Sequence, residues 1–571
     1  MKNFKLTYLF AVLLFFSVSS CDDDLDIDVT GSFASDLVLS TPEQVELLLL
    51  TTYNSTENWG LDNSIWWSRR FNIENASFES KFNFNNLDLL RVRAGWTAGN
   101  PGFFRNQWSK YYTYIRQANL FFDQIPESPA MEQDPEKVNL LLAEMRFLRA
   151  NLYSKLIRYY GGVPILETAA SLDDDFNIPR NTYEECVNFI VSELDAAAAV
   201  LPDTRPEDEF GRATKMAALA VKSRVLLYAA SDLHDPALAP QTTNTDFYTY
   251  SKATKWQDAS DAAKAVIDMV GSRDLISVAD AKGYQDLFLS VNEDIIFARP
   301  FGSTIFAFGT DGNSLWDRTQ SPNGDDGWAL SSPTHNYALQ YNMNDGTTTD
   351  DGLFDPADPN ANREMRYYAN LNFQGAEFRG NPINYALSLN PDEYPHGDDS
   401  PEGLGNVRHS SKTGYNIRKF QNESLGNIQD PTPGRPYILY RLAEIYLNYA
   451  EAQYHLGNEA EALTFVNKSV ARGLQPAITA AGTDLLEAIK RERRIELAFE
   501  GHNFFDERRW MNEDHLGMDI KGLTWTTQVD GTVTNEEYTV VTRPWFQRMY
   551  YLPIPQAEID KTASLIQNDG Y

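Results

Sequence analysis

Apolar residues recur at helical spacing most regularly between residues 441 and 510. Intervals of three and four place side chains on one face of an α-helix, and the first such face consists of Leu442, Ile445, Tyr446, Tyr449 and Leu456. Gly457 and Asn458 then interrupt the pattern, as is typical of a helix end. A second helical stretch follows at about 459–472. The pattern therefore predicts two consecutive helices joined by a tight turn.

Small residues within the first of these helices allow a neighbouring helix to approach closely, as in a tetratricopeptide-like pair. Three further helix–loop–helix patterns occur, at 41–54 with 108–125, 141–160 with 182–200, and 214–230 with 256–270. Long insertions separate the members, so the repeat is irregular. The predicted fold is mainly α, a tetratricopeptide-like scaffold of about four helical pairs.

The middle of the chain differs in character from the scaffold. Between about 271 and 434, Gly, Pro, Asn, Asp and Ser are frequent and helical periodicity is weak, which predicts a loop-rich insertion with short strands. A smaller variable loop covers 57–102, and the segment after Asn512 is again predicted to be mostly irregular. We therefore expect an N-terminal scaffold at 41–270, a variable ligand-binding region at 271–434, and a C-terminal scaffold with tail at 435–571.

The first 20 residues have the parts of a bacterial export signal. Lys2 and Lys5 precede a largely apolar run and two small residues, and Cys21 follows at the position that a lipobox cysteine occupies. The apolar run is shorter than the roughly 20 residues that a membrane-spanning helix needs. We predict cleavage and lipidation at Cys21, with residues 21–40 as an acidic tether. A plain secretory signal with a chance cysteine is the alternative.

Charge and cysteine content narrow the possible functions. The formal net charge is −31, which disfavours nucleic acid as a partner because phosphate binding needs clustered Lys and Arg. Cys186 is the only other cysteine, so the mature chain can form no internal disulfide, and we expect it to be a buried apolar residue. Aromatic residues reach 13%, including 11 Trp, which suggests that some rings face a ligand.

Several segments together resemble the SusD/RagB family of nutrient-uptake lipoproteins over nearly the whole chain. The most specific are RLAEIYLNYAEA at 441–452, RERRIELAFEG at 491–501, Phe505-Asp506 and Arg509-Trp510; supporting segments lie at 144–150, 160–164, 211–215, 227–231 and 552–568. The resemblance implies an outer-membrane lipoprotein that faces the extracellular side and pairs with a TonB-dependent transporter of the SusC type. It also implies a variable face that captures a glycan and closes as a lid over the transporter barrel.

One pair of carboxylates has the spacing of an enzyme site. Glu492 and Glu496 lie one helical turn apart, and paired carboxylates are what glycoside hydrolysis uses. They also continue an apolar stripe, which predicts that they point inward and take cationic partners, for which the candidates are Arg493, Arg494, Arg508 and Arg509. We favour this structural role and predict no catalytic centre.

Metal sites have little support in the sequence. The seven histidines are far apart, with no pair at ligand spacing. Acidic loops at 345–351 and 355–358 could hold a structural calcium ion, but neither follows the EF-hand alternation, so solvated loops are favoured. We predict no cofactor and leave a structural calcium ion as the alternative.

Glycan binding requires aromatic faces for the apolar side of a pyranose and polar side chains for its hydroxyls. From the two variable regions the candidates are Trp67, Trp96, Trp316 and Trp328, with Asn313, Asp317, Arg318 and Asn323 as polar companions. The alternative for each Trp is that it anchors its loop to the scaffold. The predicted function is capture of an oligosaccharide or polysaccharide for the transporter. A peptide-binding or purely structural lid, and a surface glycosidase, are the other hypotheses.

Overall fold

The computed structural model describes residues 39–56, 72–83, 95–171, 173–302, 313–403, 407–425 and 433–571. The predicted signal peptide, Cys21 and nearly all of the tether lie outside these residues. Within the described ranges, no helix is both long and apolar enough to cross a membrane.

Helices make up most of the regular structure. In chain order the α-helices of the described residues are α1 (Pro42–Tyr53), α2 (Gln107–Gln124), α3 (Pro129–Gln133), α4 (Pro135–Tyr160), α5 (Tyr183–Ala198), α6 (Lys215–Ala230), α7 (Lys255–Val270), α8 (Ala281–Asp286), α9 (Asn313–Gln320), α10 (His335–Ala338), α11 (Met365–Asn370), α12 (Leu442–His455), α13 (Glu459–Arg472), α14 (Thr483–Glu496), α15 (Asn503–Arg509), α16 (Glu513–Leu516) and α17 (Gln556–Ile559). The scaffold helices begin and end within a few residues of the predicted bounds, so the mainly α prediction is confirmed.

The strands are short and form several small sheets. They are β1 (Ser80–Phe82), β2 (Ile295–Pro300), β3 (Ser331–Pro333), β4 (Leu371–Asn372), β5 (Glu377–Phe378), β6 (Asn381–Pro382), β7 (Leu387–Ser388), β8 (Asn416–Ile417), β9 (Pro436–Arg441), β10 (Ile520–Thr527) and β11 (Val533–Val541). Antiparallel pairs join β1 to β3, β2 to β9, β4 to β8 and β5 to β6. Most strands lie in the predicted insertion.

Local sequence signals set the ends of the long helix α4. The Asp134 side chain accepts a hydrogen bond from the backbone N–H of Lys137 at 3.0 Å, and Pro135 occupies the first turn. The helix ends at Gly161, whose φ of +76° favours glycine. A Cβ at Gly161 would lie 2.5 Å from the carbonyl oxygen of Phe247. Glycine at this position therefore ends the helix and also allows the 247–248 segment to pack against it.

Neighbouring helices pack as the sequence pairs them. Helix α4 packs on α5, α6 on α7, and α12 on α13, while α7 also packs on α12 and so joins the N-terminal and C-terminal parts of the scaffold. Helices α1 and α2, the remaining predicted pair, both pack mainly on α4 rather than on each other. One large hydrophobic core runs through all of these helices. It includes Cys186, which is buried and free, as predicted.

A second hydrophobic core lies mostly within the insertion. It is built largely from aromatic rings, among them Tyr284, Tyr337, Tyr341 and Tyr367. Phe499 and Ile520 from the C-terminal part contribute to the same core. The insertion is therefore packed against the C-terminal scaffold, and the β2–β9 pair, in which Ile295 is opposite Arg441, leads directly into α12.

The segment after Asn512 contains more regular structure than predicted. Strands β10 and β11 form an antiparallel hairpin in which Thr527 is opposite Val533, and β7 joins β10 in parallel. Gly531 lies in the turn with a φ of +86°. The prediction of irregular structure was wrong here, although Asp530-Gly531 between β-branched residues is a known hairpin signal.

Candidate functional site

Glu492 and Glu496, the enzyme-like pair, lie buried on α14. The guanidinium of Arg366 donates to both, at 2.6 Å to Glu492 and 3.0 Å to Glu496. Arg441 donates to Glu496 at 2.6 Å, and Arg472 also bonds that carboxylate. The predicted inward orientation is confirmed.

The charges around Glu496 oppose a role in acid catalysis. Burial by itself would raise the pKa of Glu496, but Arg472, Arg441 and Arg366 hold that pKa well below its usual range. A general acid in glycoside hydrolysis must carry a proton near its working pH. Glu496 stays ionised and hydrogen-bonded, so it serves to join α11, β9 and α13 to α14.

The predicted cationic partners of this pair were wrong. Arg366, Arg441 and Arg472 replace the expected ones because they come from distant segments that fold over α14. Three of the four arginines proposed from sequence bond other carboxylates instead, in the pairs Arg493–Asp506, Arg494–Glu507 and Arg509–Glu451. Sequence proximity along one helix did not identify the spatial neighbours.

Two of the predicted ligand-binding tryptophans are packed inside the protein. Trp96 is 2% exposed and lies edge-on to Phe104, with ring centroids 5.4 Å apart. Trp316 is 3% exposed and lies edge-on to Phe420 at 5.7 Å. With their faces covered, these indoles are placed as loop anchors, which was the alternative for each of them. The expectation that they present open faces is corrected by this packing.

Trp328 is also buried, at 7% exposed, in a small group that we call the Trp328 patch: Trp328, Arg318, Asp326 and His409. The ring of Trp328 stacks on His409 with centroids 5.8 Å apart, and the guanidinium of Arg318 lies 5.9 Å from the indole. Arg318 also pairs with the exposed carboxylate of Asp326. The patch thus combines an aromatic ring with cationic, anionic and imidazole groups within the variable region.

The polar companions predicted for the site divide into two groups. Asp317 is fully buried, pairs with Arg435 at 3.2 Å and accepts the backbone N–H of Asn422 at 3.0 Å, so it ties loops together instead of facing a ligand. Asn323 is also buried. These placements correct the expectation that both face outward. Arg318 is partly exposed.

Two of the sequence-predicted site residues cannot be assigned contacts. Asn313 begins α9, but the described structure does not extend to its side chain. Trp67 lies outside the described residues.

Asp399 holds the loops that flank the patch. Its carboxylate accepts the backbone N–H of Gly324 at 2.8 Å and that of Asn384 at 3.0 Å. Burial raises the pKa of Asp399 to about 6, although these two hydrogen bonds act in the opposite direction. The polar loops of the insertion are therefore fixed by specific buried contacts.

The acidic loops considered for calcium bond to their own backbone. Asp345 accepts the N–H and hydroxyl of Thr347, and Asp351 accepts those of Thr348. In the described ranges, no group of three or more His, Cys, Asp or Glu side chains could hold a metal ion.

His409 and Asp399 were missed by reasoning from the sequence. Each lies in a loop without periodicity and is brought to its partner only by the folding of the insertion. Asp326 carries a weak signal, since it adopts a left-handed φ of +57° within an Asn-Gly-Asp-Asp-Gly turn next to Trp328.

Comparison with known proteins places this architecture in a family. A model described as the SusD family matches residues 294–571, and one described as starch-binding and associating with the outer membrane matches residues 50–227. SusD-like protein P38 of Formosa agariphila is 22% identical over 536 residues, which cover 92% of this chain and 94% of that protein.

Solved structures agree with these matches over most of the chain. A SusD-like protein from Bacteroides fragilis superposes with a TM-score of 0.77 at 26% identity, covering 94% of this chain and 98% of the other. A SusD-like carbohydrate-binding protein from the same species gives 0.73 at 25% identity, covering 93% and 100%. The two family models together span most of the sequence, and the protein belongs to the SusD/RagB family.

Proposed function

We propose that this protein is a non-catalytic glycan-binding lipoprotein of the outer membrane. It captures an oligosaccharide or polysaccharide on the extracellular side and delivers it to a SusC-type TonB-dependent transporter. Lipidation at Cys21 keeps it at the membrane, where tethering raises the concentration of captured glycan near the transporter.

The similarity in fold to a SusD-like carbohydrate-binding protein, over 93% of this chain, is the observation that carries the proposal. The description of the second matching family model, starch-binding and associating with the outer membrane, agrees with it. The carboxylate pair Glu492 and Glu496, which has hydrolase-like spacing, is engaged by three buried arginines. Binding without hydrolysis is the activity that fits both observations.

The ligand surface in this proposal centres on the Trp328 patch, together with Trp67. An indole edge or face can pack on the apolar side of a pyranose, while Arg318, Asp326 and the Asn313 side chain supply hydrogen bonds to hydroxyls. Trp96 packs instead against Phe104 and Phe504 in the large hydrophobic core. Trp316, Asp317 and Asn323 are buried in the segment that also carries Arg318 and Trp328. Their role is to fix the loops that carry the ligand contacts.

Glycan-array screening followed by calorimetry tests this assignment. Trp328→Ala and Trp67→Ala should each weaken binding of the selected glycan about tenfold, the loss typical of one anchoring aromatic ring. Trp256→Ala is the matched control, because Trp256 also stacks on a histidine, His455, with centroids 3.7 Å apart, but lies on the scaffold helix α7. Equal affinity of all three variants would reject the assigned surface.

Delivery of the glycan to the transporter requires a separate measurement. Co-purification with a SusC-type transporter encoded by a neighbouring gene, followed by uptake assays with and without this protein, tests delivery. An array without hits, alongside a shift in melting temperature on peptide addition, would instead support a peptide-binding lid. Release of product from the bound glycan would support the glycosidase hypothesis.

A further inference from the structure

The long hairpin strand β11 has one open edge. It is the outer strand of a three-stranded sheet in the order β11–β10–β7, so among the described residues it is paired only on its β10 side. The strand has nine residues, VTNEEYTVV, most of them exposed, and contains neither Lys nor Pro. Sheet edges are commonly protected by Lys, Pro, a bulge or a covering segment. Strand β11 therefore has the backbone needed to accept a further strand.

The register of the hairpin shows which backbone groups point to this edge. The backbone N–H of Gln528 donates to the carbonyl of Thr532 at 2.7 Å, so these two residues form a hydrogen-bonded pair. Hydrogen-bonded and non-hydrogen-bonded pairs alternate along an antiparallel ladder. The residues of β11 whose N–H and C=O groups point away from β10 are therefore Val533, Asn535, Glu537 and Thr539.

Strand β10 shows the same alternation on its other side. Two of its residues in non-hydrogen-bonded pairs with β11 are Leu523 and Thr527. The Thr527 carbonyl accepts the N–H of Leu389 at 2.9 Å, and the Leu523 N–H donates to a carbonyl of the 411–415 loop at 2.9 Å. Both bonds go to partners outside β11. On β11 itself, no hydrogen bond to another described residue uses the outward backbone groups.

Two carboxylates in the middle of β11 select the charge of a partner. Glu536 and Glu537 are exposed and, as neighbours along a strand, point to opposite faces of the sheet. Lys521 lies 3.8 Å from Glu537, but among the described residues no ion pair joins Glu536 to a cation. A strand paired with β11 would place its Cβ atoms about 5 Å from those of the two glutamates. Lys or Arg is favoured there, and Asp or Glu is disfavoured.

The same carboxylates disfavour a second copy of this chain. Antiparallel self-pairing over the full length of β11 is centred on Glu537, which would place the two Glu537 side chains directly opposite each other. Two molecules of net charge −31 also repel each other as they approach. The tether of this chain, which begins DDDLDID after Cys21, is disfavoured for the same reason. Charge therefore favours a basic segment of another protein.

An exposed apolar group continues the open edge at the hairpin tip. The side chains of Leu389, Val529 and Val533 are 60%, 66% and 45% exposed. Val533 is opposite Thr527, whose carbonyl accepts the N–H of Leu389. Val529 lies in the turn that joins β10 to β11, so all three are at one end of the sheet. Clustered apolar side chains on a surface are typical of interaction sites, and here they extend the open edge.

We propose that the open edge of β11 binds an extended, basic segment of a partner protein as a fourth strand of the sheet. The backbone of that segment bonds to the outward N–H and C=O groups of β11, and its Lys or Arg side chains lie beside Glu536 and Glu537. In complexes of this kind, main-chain hydrogen bonds give affinity and side chains give specificity. The inference is independent of the proposed function, because no glycan takes part in it.

The test uses the full mature protein and synthetic octapeptides as probes. Each peptide alternates Thr and Val around a central pair that is either Lys-Lys or Glu-Glu. By fluorescence anisotropy, the Lys peptide should bind about tenfold more tightly than the Glu peptide, because opposite charges on neighbouring strands attract and like charges repel. A third peptide keeps the Lys pair but is N-methylated at every Thr and Val. It has the same charge without most backbone donors, and should bind about tenfold more weakly than the Lys peptide.

Hydrogen exchange measured by mass spectrometry gives the location. In the free protein the outward amides of β11 are open to solvent and should exchange fast. The Lys peptide should slow exchange within Val533–Val541, since its carbonyls accept these N–H groups. The N-methylated peptide should not.

Variants of the strand provide matched controls. Thr539→Pro removes one outward N–H and should weaken the Lys peptide about tenfold, whereas Thr539→Ala keeps that N–H and should leave the affinity unchanged. Both variants lose the same side-chain contact with Lys521. Glu536→Gln combined with Glu537→Gln should weaken the Lys peptide about fivefold. Asp261→Asn combined with Asp268→Asn, which removes two exposed carboxylates from the scaffold helix α7, should not.

Each remaining outcome decides against the inference. Equal affinity of the Lys and Glu peptides would overturn the basic partner, and equal affinity of the N-methylated peptide would overturn strand addition. Slowed exchange outside Val533–Val541 alone would show that the Lys peptide binds another acidic surface. If thermal unfolding shows that Thr539→Pro does not fold, the N-methylated peptide decides the same question on the wild-type protein.

Discussion

Glu451 shows how single buried carboxylates hold the C-terminal scaffold together. It accepts hydrogen bonds from Arg509 at 2.5 and 2.8 Å and from the indole N–H of Trp510 at 2.8 Å. Burial alone would raise its pKa, but Arg509 lowers the pKa of Glu451 to about 2. A carboxylate whose pKa is depressed on folding stabilises the protein above its unfolded pKa, and this contribution is lost as the pH falls towards 2.

We therefore expect Glu451→Gln to lower the free energy of unfolding by about 3–5 kcal/mol at pH 7, since it leaves Arg509 without one of its charged partners. The difference from wild type should shrink between about pH 4.5 and pH 2, measured by denaturant unfolding at several pH values. Glu558→Gln, which removes the surface pair with Lys561, should cost less than about 1 kcal/mol. A pH-independent difference for Glu451→Gln would contradict the ionic explanation.

The orientation of a single residue could be predicted from the sequence where one helix alone determines it. The inward orientation of Glu492 and Glu496 follows from the stripe of a single helix. The identity of their partners does not, because Arg366 is 126 residues from Glu492 along the chain. For the same reason, neither the burial of Trp316 against Phe420 nor the stacking of Trp328 on His409 could be predicted.

The end of α4 illustrates how an element depends on both backbone conformation and packing. Gly161 and Gly271 both follow a long helix and have positive φ, +76° and +68°. A Cβ would meet the Phe247 carbonyl oxygen 2.5 Å from Gly161, whereas at Gly271 no atom lies within 4 Å. A comparison of alanine substitutions at the two positions therefore distinguishes backbone strain from steric conflict.

Gly271→Ala should lower the free energy of unfolding by about 1–3 kcal/mol through backbone strain alone. Gly161→Ala should cost more, because the 247–248 segment must also move away. Chemical denaturation of both variants measures the difference. Equal costs would show that the segment at 247 adapts without penalty.

At the scale of elements, helices were predictable because their signal is local and repeated. The pairs α4–α5, α6–α7 and α12–α13 each have an apolar stripe and end signals of their own. The aromatic core of the insertion has no such periodicity, since its members come from short helices, short strands and loops. The β10–β11 hairpin has a sequence signal at Asp530-Gly531 that the prediction did not use.

The described part of the molecule consists of a helical scaffold and an insertion, and the C-terminal part of the chain contacts both. Helix α14 carries Glu496, which bonds arginines from α13, from the end of β9 and from α11 of the insertion. The scaffold and the variable region are thus joined by charged hydrogen bonds as well as by apolar contacts. This junction fixes how the loops of the insertion sit on the scaffold.

The net charge of the whole chain, −31, opposes binding of the protein to anionic lipid headgroups. Lipid at Cys21 would overcome this repulsion, since each buried methylene contributes about 0.8 kcal/mol and is not screened by salt. We expect the wild-type protein, expressed in a Gram-negative host without the partner transporter, to remain in the membrane fraction after a high-salt wash.

Cys21→Ser should instead appear in the soluble fraction, with unchanged affinity for the glycan selected by the array, because the anchor and the binding surface are separated by the tether. Fractionation with immunoblotting measures the first effect and calorimetry the second. If Cys21→Ser stayed in salt-washed membranes of this host, attachment would have to come from the folded protein itself, against the repulsion that its charge imposes.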